Sequence, residues 1–303
     1  MNAAPALLGY AATVGFAAPT LLLRSTWPHR APVLAVAVWH GLSVSFTVAV
    51  ALAAYHLATP TEHLHVGLIG LLHSCGLTTA TASPDPTTVG RLAVALPVSV
   101  VLLVFGFFVL EVLRGRRTRS RHRHVLDMVG RRSPQLCATI LEHDLPAAYC
   151  LPGHRPRIVV SAGALRLLSA GQLQAVLEHE RAHIAGRHHL ALAATQAFAR
   201  VFRRLPLARH AQEQTALLLE MIADDRALRR QPREVLATAM YEMAASMAPA
   251  GAFAVGGPSA LIRLRRVLAP QERPHIAVRG SMAAAAAMVP LIPLLLGCVP
   301  GFR

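Results

Sequence analysis

His179, Glu180 and His183 stand in the order His-Glu-Arg-Ala-His. On a helix, positions i and i+4 share a face, so two imidazoles can be aimed at one ion. Glu180 is offset by one residue, which places it beside that ion rather than on it. From there a carboxylate can take a proton from an attacking water and pass it to a leaving amine. These residue types at this spacing describe a catalytic zinc site with Glu180 as general base. Such a site takes three protein ligands and keeps one position open, so a third ligand must come from elsewhere. A shuffled chain of this composition would contain the pattern with a probability of ~3%. The surrounding elements must therefore carry part of the case.

Two residues compete for the third place. Glu220 opens the run Glu-Met-Ile-Ala-Asp224 on a helix expected over Thr215 to Leu228. Glu220 and Asp224 share a face, so Glu220 can bind the ion while Asp224 accepts a hydrogen bond from a ligand histidine. The rival is His189. His179 to His189 reads HERAHIAGRHH, which fits the metzincin pattern HExxHxxGxxH, with Gly186 supplying the bend. Without that bend His189 lies well off the face of the two histidines, and no clear Met-turn follows. The balance favours Glu220, with His189 as the named rival.

Three local signals position the motif. Arg157-Ile-Val-Val-Ser161 reads as a short strand, bounded by Pro152-Gly153 and by Gly163. Ser169-Ala-Gly-Gln172 has the form of a capping box, with Ser169 as N-cap. The helix it opens carries Leu173, Val176 and Leu177 on an apolar ridge and continues through His183.

The rest of the chain argues for a membrane. Of 303 residues 54% are hydrophobic and 15% charged, a balance unlike that of a soluble protein this size. Apolar runs at about 3–23, 33–58, 92–113 and 282–299 are each close to the ~20 residues needed to cross a bilayer core. No basic residue precedes the first, so it is read as a retained span and not a signal peptide. The division expected is a membrane domain at 1–113, a zinc peptidase domain at 114–280, and a last span with a short tail at 281–303. Val66 to Leu77 is too short to span and reads as interfacial or re-entrant, in a loop whose His56, His63, His65 and His73 are taken as scattered.

A net charge of +15, all of it arginine on the basic side, raises the question of nucleic acid. Its distribution answers differently. Arg114, Arg116, Arg117, Arg119, Arg121 and Arg123 follow the third span directly, and Arg24 and Arg30 lie between the first two. Flanks of this kind stay cytoplasmic and meet anionic head groups. The expected topology is a multi-pass cell-membrane protein, N-terminus outside and peptidase domain in the cytoplasm, with the bilayer and a protein substrate as partners and no direct nucleic acid. The four cysteines are too few and scattered for a disulfide scaffold or a zinc knuckle. Cys75 and Cys298 fall near the outer face, where a disulfide is open.

Ala147-Ala-Tyr-Cys-Leu-Pro-Gly153, Ile158-Val-Val-Ser161, Leu173 to His183 and Leu219-Glu-Met-Ile-Ala-Asp-Asp225 together resemble membrane gluzincins of the BlaR/MecR and HtpX types. The resemblance implies a mainly α, multi-pass protein of about four transmembrane helices with an α+β zinc peptidase domain. It implies a zinc metalloendopeptidase holding one zinc per chain through His179, His183 and Glu220, with Glu180 as general base. It also implies that Arg157–Ser161 is an edge strand able to pair with an extended substrate. Arg187-His188-His189 is similar to the Arg-His that follows HExxH in the HtpX type, which accounts for the metzincin-like match without making His189 a ligand. The large external penicillin-binding domain of the β-lactam sensors is not seen after the last span. Hydrolysis of peptide bonds in cytoplasmic or membrane proteins is the expected role, with a transcriptional repressor in a signalling circuit as one candidate substrate. The alternatives are HtpX-like quality control of membrane proteins and a catalytically silent sensor or scaffold.

Overall fold

The computed structural model describes residues 3–58, 88–246, 257–269 and 275–298. The Val66–Leu77 run, His63, His65 and His73 of its loop and the Cys75–Cys298 pairing lie outside the described residues; His56 is described and buried. Most of the chain is helical, with one small sheet. Four stretches are long and apolar enough to cross a membrane by length and composition: Ala4–Arg24, Pro32–Ala58, Ala95–Val129 and Ile276–Gly297.

The first stretch, α1 (Ala4–Arg24), is helical throughout but widens into a π turn over Thr13–Ala17. A one-turn helix at Trp27–Arg30 leads into α2 (Pro32–Ala58). The next helix, α3 (Thr88–Val129), runs 42 residues, about 63 Å at 1.5 Å per residue. The sequence placed the end of its span near residue 113, yet the helix crosses the arginine cluster without a break. Arginine is a good helix former, and the change of polarity marks where a bilayer would end rather than where the helix does.

Four strands follow: β1 (Gly130–Ser133), β2 (Ala138–Leu141), β3 (Ala148–Leu151) and β4 (Arg157–Ser161). The last has the bounds expected, but its place is not the one expected. The sheet order is β1-β2-β4-β3, so β4 is an interior strand, parallel to β2 and antiparallel to β3. Its unbroken Ile158-Val159-Val160 run, buried throughout, is the signature of a strand covered on both faces. The edge beside the helix that carries His179 and His183 belongs to β3.

A short helix, α4 (Ala162–Leu167), precedes α5 (Ala170–Ala185), which carries His179 and His183. Then come α6 (His188–Val201) and α7 (Pro206–Ala227), forming a hairpin, and α8 (Arg233–Ser246), α9 (Gly257–Leu268) and α10 (Ile276–Met288). The largest buried cluster joins both halves of the chain. Val14 of α1 and Trp39, Leu42 and Phe46 of α2 meet Phe198 of α6 and Leu207, Leu218 and Met221 of α7. Phe46 meets Phe198 and Phe202 edge-on, with centroids 6.0 and 5.1 Å apart. The hairpin thus packs beside the middle of α2, and Met221, next to Glu220, is fully buried in that shared core.

Gly15, within the π turn of α1, makes this approach possible. A Cβ there would come 2.8 Å from Cδ1 of Leu205 at the hairpin tip, whereas one on Gly9 would meet nothing within 4 Å. Gly15→Val should therefore cost about 1–3 kcal/mol by overpacking and lower the thermal midpoint in detergent. Gly9→Val should change stability by less than about 0.5 kcal/mol. Equal effects would mean that the hairpin does not seat against α1.

Candidate active site

The catalytic helix is fixed at both ends. Ser169 accepts from the Gln172 amide at 3.4 Å, and the Gln172 side chain accepts from the Ser169 amide at 2.7 Å, completing the expected capping box. At the far end α5 stops at Gly186, and Arg187 takes a left-handed conformation (φ 49°) before α6 begins. A Cβ on Gly186 would overlap the His188 ring, so glycine is what lets that ring fold back.

Both histidines are then held from behind. Nδ1 of His179 lies 3.0 Å from Oδ1 of Asp224, and Nδ1 of His183 lies 2.8 Å from Nδ1 of His188. With Nδ1 engaged, each ring presents Nε2 forward, 3.1 Å from the other. Glu220 completes a triangle, Oε2 at 3.4 Å from His179 Nε2 and Oε1 at 3.3 Å from His183 Nε2. Ligand atoms at ~2.0–2.1 Å from a tetrahedral zinc would be about 3.3–3.4 Å apart. The three separations fit one such ion, and these residues form the metal-capable cluster among the described residues.

His189 is not brought to this cluster. It faces away, into a cavity shared with Arg119 and Arg187. The bend foreseen at Gly186 exists, but it turns His188 inward, and His188 was missed by the sequence reading. The sequence reading also missed Arg263. This α9 residue donates to both Asp224 oxygens, at 2.9 and 2.7 Å, and to Glu220 Oε2 at 2.7 Å. One arginine among 30 basic residues has no periodic signature. The available clue was physical, since two carboxylates facing inward from one helix require a counter-charge. Arg266, one turn on, pairs with Asp225 at 2.7 and 2.9 Å and donates to the His29 carbonyl at 2.8 Å, tying α9 to α7 and to the one-turn helix before α2.

The charges are strongly biased. Burial disfavours the His179 cation, but the hydrogen bonds it donates to Asp224 and Glu220 outweigh it and raise the pKa to about 9. Burial dominates at His183 and lowers it to about 4. Burial opposes ionisation of Glu220 and Asp224, yet His179 and Arg263 hold both down at about 2. Glu180 is raised, first by burial. It hydrogen-bonds with the Cys150 thiol of β3, which burial and Glu180 push up to about 12. The general-base candidate therefore sits against the sheet edge.

Two histidines and a glutamate on crossing helices make a cluster able to hold a metal ion, with a second carboxylate beside it and a strand edge alongside. Residues 113–230 match the family model of Peptidase family M48, which supports a zinc metallopeptidase function for this segment. The matched stretch holds His179 to His183, Glu220 and Asp224, and stops short of Arg263. Neither a curated protein nor a solved structure matches the chain significantly.

Two outcomes follow from this geometry. Asp224→Ala should weaken zinc affinity by about 10–100-fold, because His179 loses the partner that fixes its ring; unchanged affinity would remove Asp224 from the site. At pH 7.5 the metal-free His179 carries a proton while His183 and Glu220 do not. Zinc binding should therefore release about one proton, falling as pH rises through about 9. Calorimetry in buffers of different ionisation enthalpy reads this directly.

Proposed function

We propose that the chain is a membrane-embedded zinc endopeptidase that cuts extended segments of cytoplasmic or membrane proteins, a transcriptional repressor among them. The observation that carries this reading is the triangle of His179, His183 and Glu220, with Glu180 one residue from the first of them. Bound there, zinc supplies a Lewis acid at neutral pH.

The chain's own residues divide the remaining work. Asp224 and His188 hold the two ligand rings in orientation. Glu180, raised by burial, accepts a proton from the attacking water and returns it to the leaving amine. The free edge of β3 (Ala148–Leu151) supports main-chain pairing with a substrate strand, the role the sequence had given to Arg157–Ser161. Packing of the α6–α7 hairpin beside α1 and α2 supports action at the membrane on substrates that are anchored there or delivered there. The arginines after residue 113 favour a cytoplasmic placement of this site.

Purified wild type is expected to hold about one zinc per chain. Glu180→Gln should keep that metal and lose cleavage of a denatured-protein substrate by about 10²–10⁴-fold. Wild type without zinc, or a Glu180→Gln protein that cuts as well, would overturn the enzymatic reading. Glu220→Ala should lose zinc while His189→Ala keeps it; the reverse would make His189 the third ligand.

A further inference from the structure

A second cavity, of about 730 Å³, lies between α3, the turn at Pro152–His154 and the α5–α6 elbow. Arg116, Arg119, Arg123, His154, Arg187 and His189 line it, and no acidic residue does. Burial and Arg119 lower the pKa of His189, which adds no full charge to those of the arginines. The arginines' like charges, gathered around one space, repel unless an anion joins them. Their donors also want one. Nε of Arg119, Nε of Arg123 and Nδ1 of His189 are all buried and without a hydrogen-bond partner. Buried polar atoms in folded proteins are almost always paired, so two arginine donors that share a cavity, beside a histidine nitrogen whose role depends on its tautomer, point to an acceptor with several oxygens.

The arginines are placed, not merely present. Arg123 donates through Nη2 to the Pro152 carbonyl at 2.9 Å. The Arg119 guanidinium folds over Gly115, where a Cβ would stand 2.8 Å from Nη1. Their level is informative too. Apolar character on α3 ends near Leu113, and Arg116 to Arg123 extend from roughly 4 to 15 Å beyond it at 1.5 Å per residue. The head-group layer adds about 5–8 Å on each side of the hydrocarbon core, so Arg116 lies within it and Arg119 near its outer margin. Nearer the start of α3, Val101, Val104, Phe105 and Phe108 border an apolar hollow of about 370 Å³ against α2 and α6, a place for an acyl chain.

We propose that the arginine-lined cavity binds a phosphate-bearing anion at the membrane surface, and that the head group of an anionic phospholipid is the source the neighbouring apolar hollow fits. A planar arginine fork matches phosphate oxygens, and a helix that passes from apolar to basic matches a lipid from tail to head. The site is separate from the His179 cluster and does not depend on peptidase activity.

The test uses the full chain in neutral detergent, with thermal midpoint as readout, titrated with dioleoyl phosphatidylglycerol, dioleoyl phosphatidylcholine or inorganic phosphate. Phosphatidylglycerol should raise the midpoint saturably and phosphatidylcholine should not. Arg119→Gln and, separately, Arg116→Gln should each weaken the apparent affinity by about tenfold through loss of a charge-assisted bond. Arg121→Gln removes the same charge from the same helix without lining the cavity, and should stay within about twofold. A saturable response to inorganic phosphate, lost in Arg119→Gln, would keep the site and make free phosphate its ligand. Equal losses in Arg119→Gln and Arg121→Gln would reduce the effect to general surface charge and overturn the proposal. So would the lack of a saturable response to either phosphatidylglycerol or phosphate. If Arg119→Gln fails to fold, the comparison of Arg116→Gln with Arg121→Gln decides.

Discussion

Asp224 is fully buried and ionised, and the site is arranged around that fact. A buried carboxylate is tolerable only when its oxygens are paired. One of them accepts from the ring of His179, and Arg263 grips both. Through His179 it reaches α5, and through Arg263 it reaches α9. Three helices distant in sequence are thereby held in one geometry by one group. The same arginine reaches Glu220, so the orientation of that carboxylate and that of His179 share a single support.

Around this knot the chain repeats the device with other pairs. Glu178, also buried, takes Arg181 at 2.6 Å and Arg230 at 2.9 Å, fixing the back of α5 to the end of α7. Arg266 joins Asp225 to the carbonyl of His29, so the one-turn helix before α2 is tied to the helix that carries Arg263. These contacts sit beside an apolar core that already fuses α1 and α2 to the α6–α7 hairpin. The centre is consequently built against the candidate spans and not on a domain hung from them. Motions of the spans relative to one another would be felt at Met221 and hence next to Glu220.

The elbow between α5 and α6 has a comparable double role. Gly186 admits the ring of His188 to the back of His183, and the left-handed Arg187 reverses the chain so that His189 faces elsewhere. Neighbouring residues therefore serve two separate spaces, His188 the metal-capable cluster and His189 the basic cavity beside α3. A single turn decides which of two adjacent histidines can matter to the chemistry.

Much of this was legible in the residues themselves. The spacing of His179 and His183, the capping box at Ser169, the bounds of Arg157–Ser161 and the four apolar stretches are local signals, set by helical period, hydrogen-bonding reach and hydropathy, and local structure follows them. The pairing of Glu220 with Asp224 was visible for the same reason, since both lie one turn apart on one helix. What the sequence could not decide were relations between segments. Strand order, which puts β4 inside and leaves β3 as the edge, depends on which neighbours cover an apolar strand. The partnership of Arg263 with Asp224 spans 39 residues and has no period to betray it. The choice of Glu220 over His189 as neighbour to the two histidines rested on a backbone turn at Gly186 and Arg187, whose direction only the packed structure fixes.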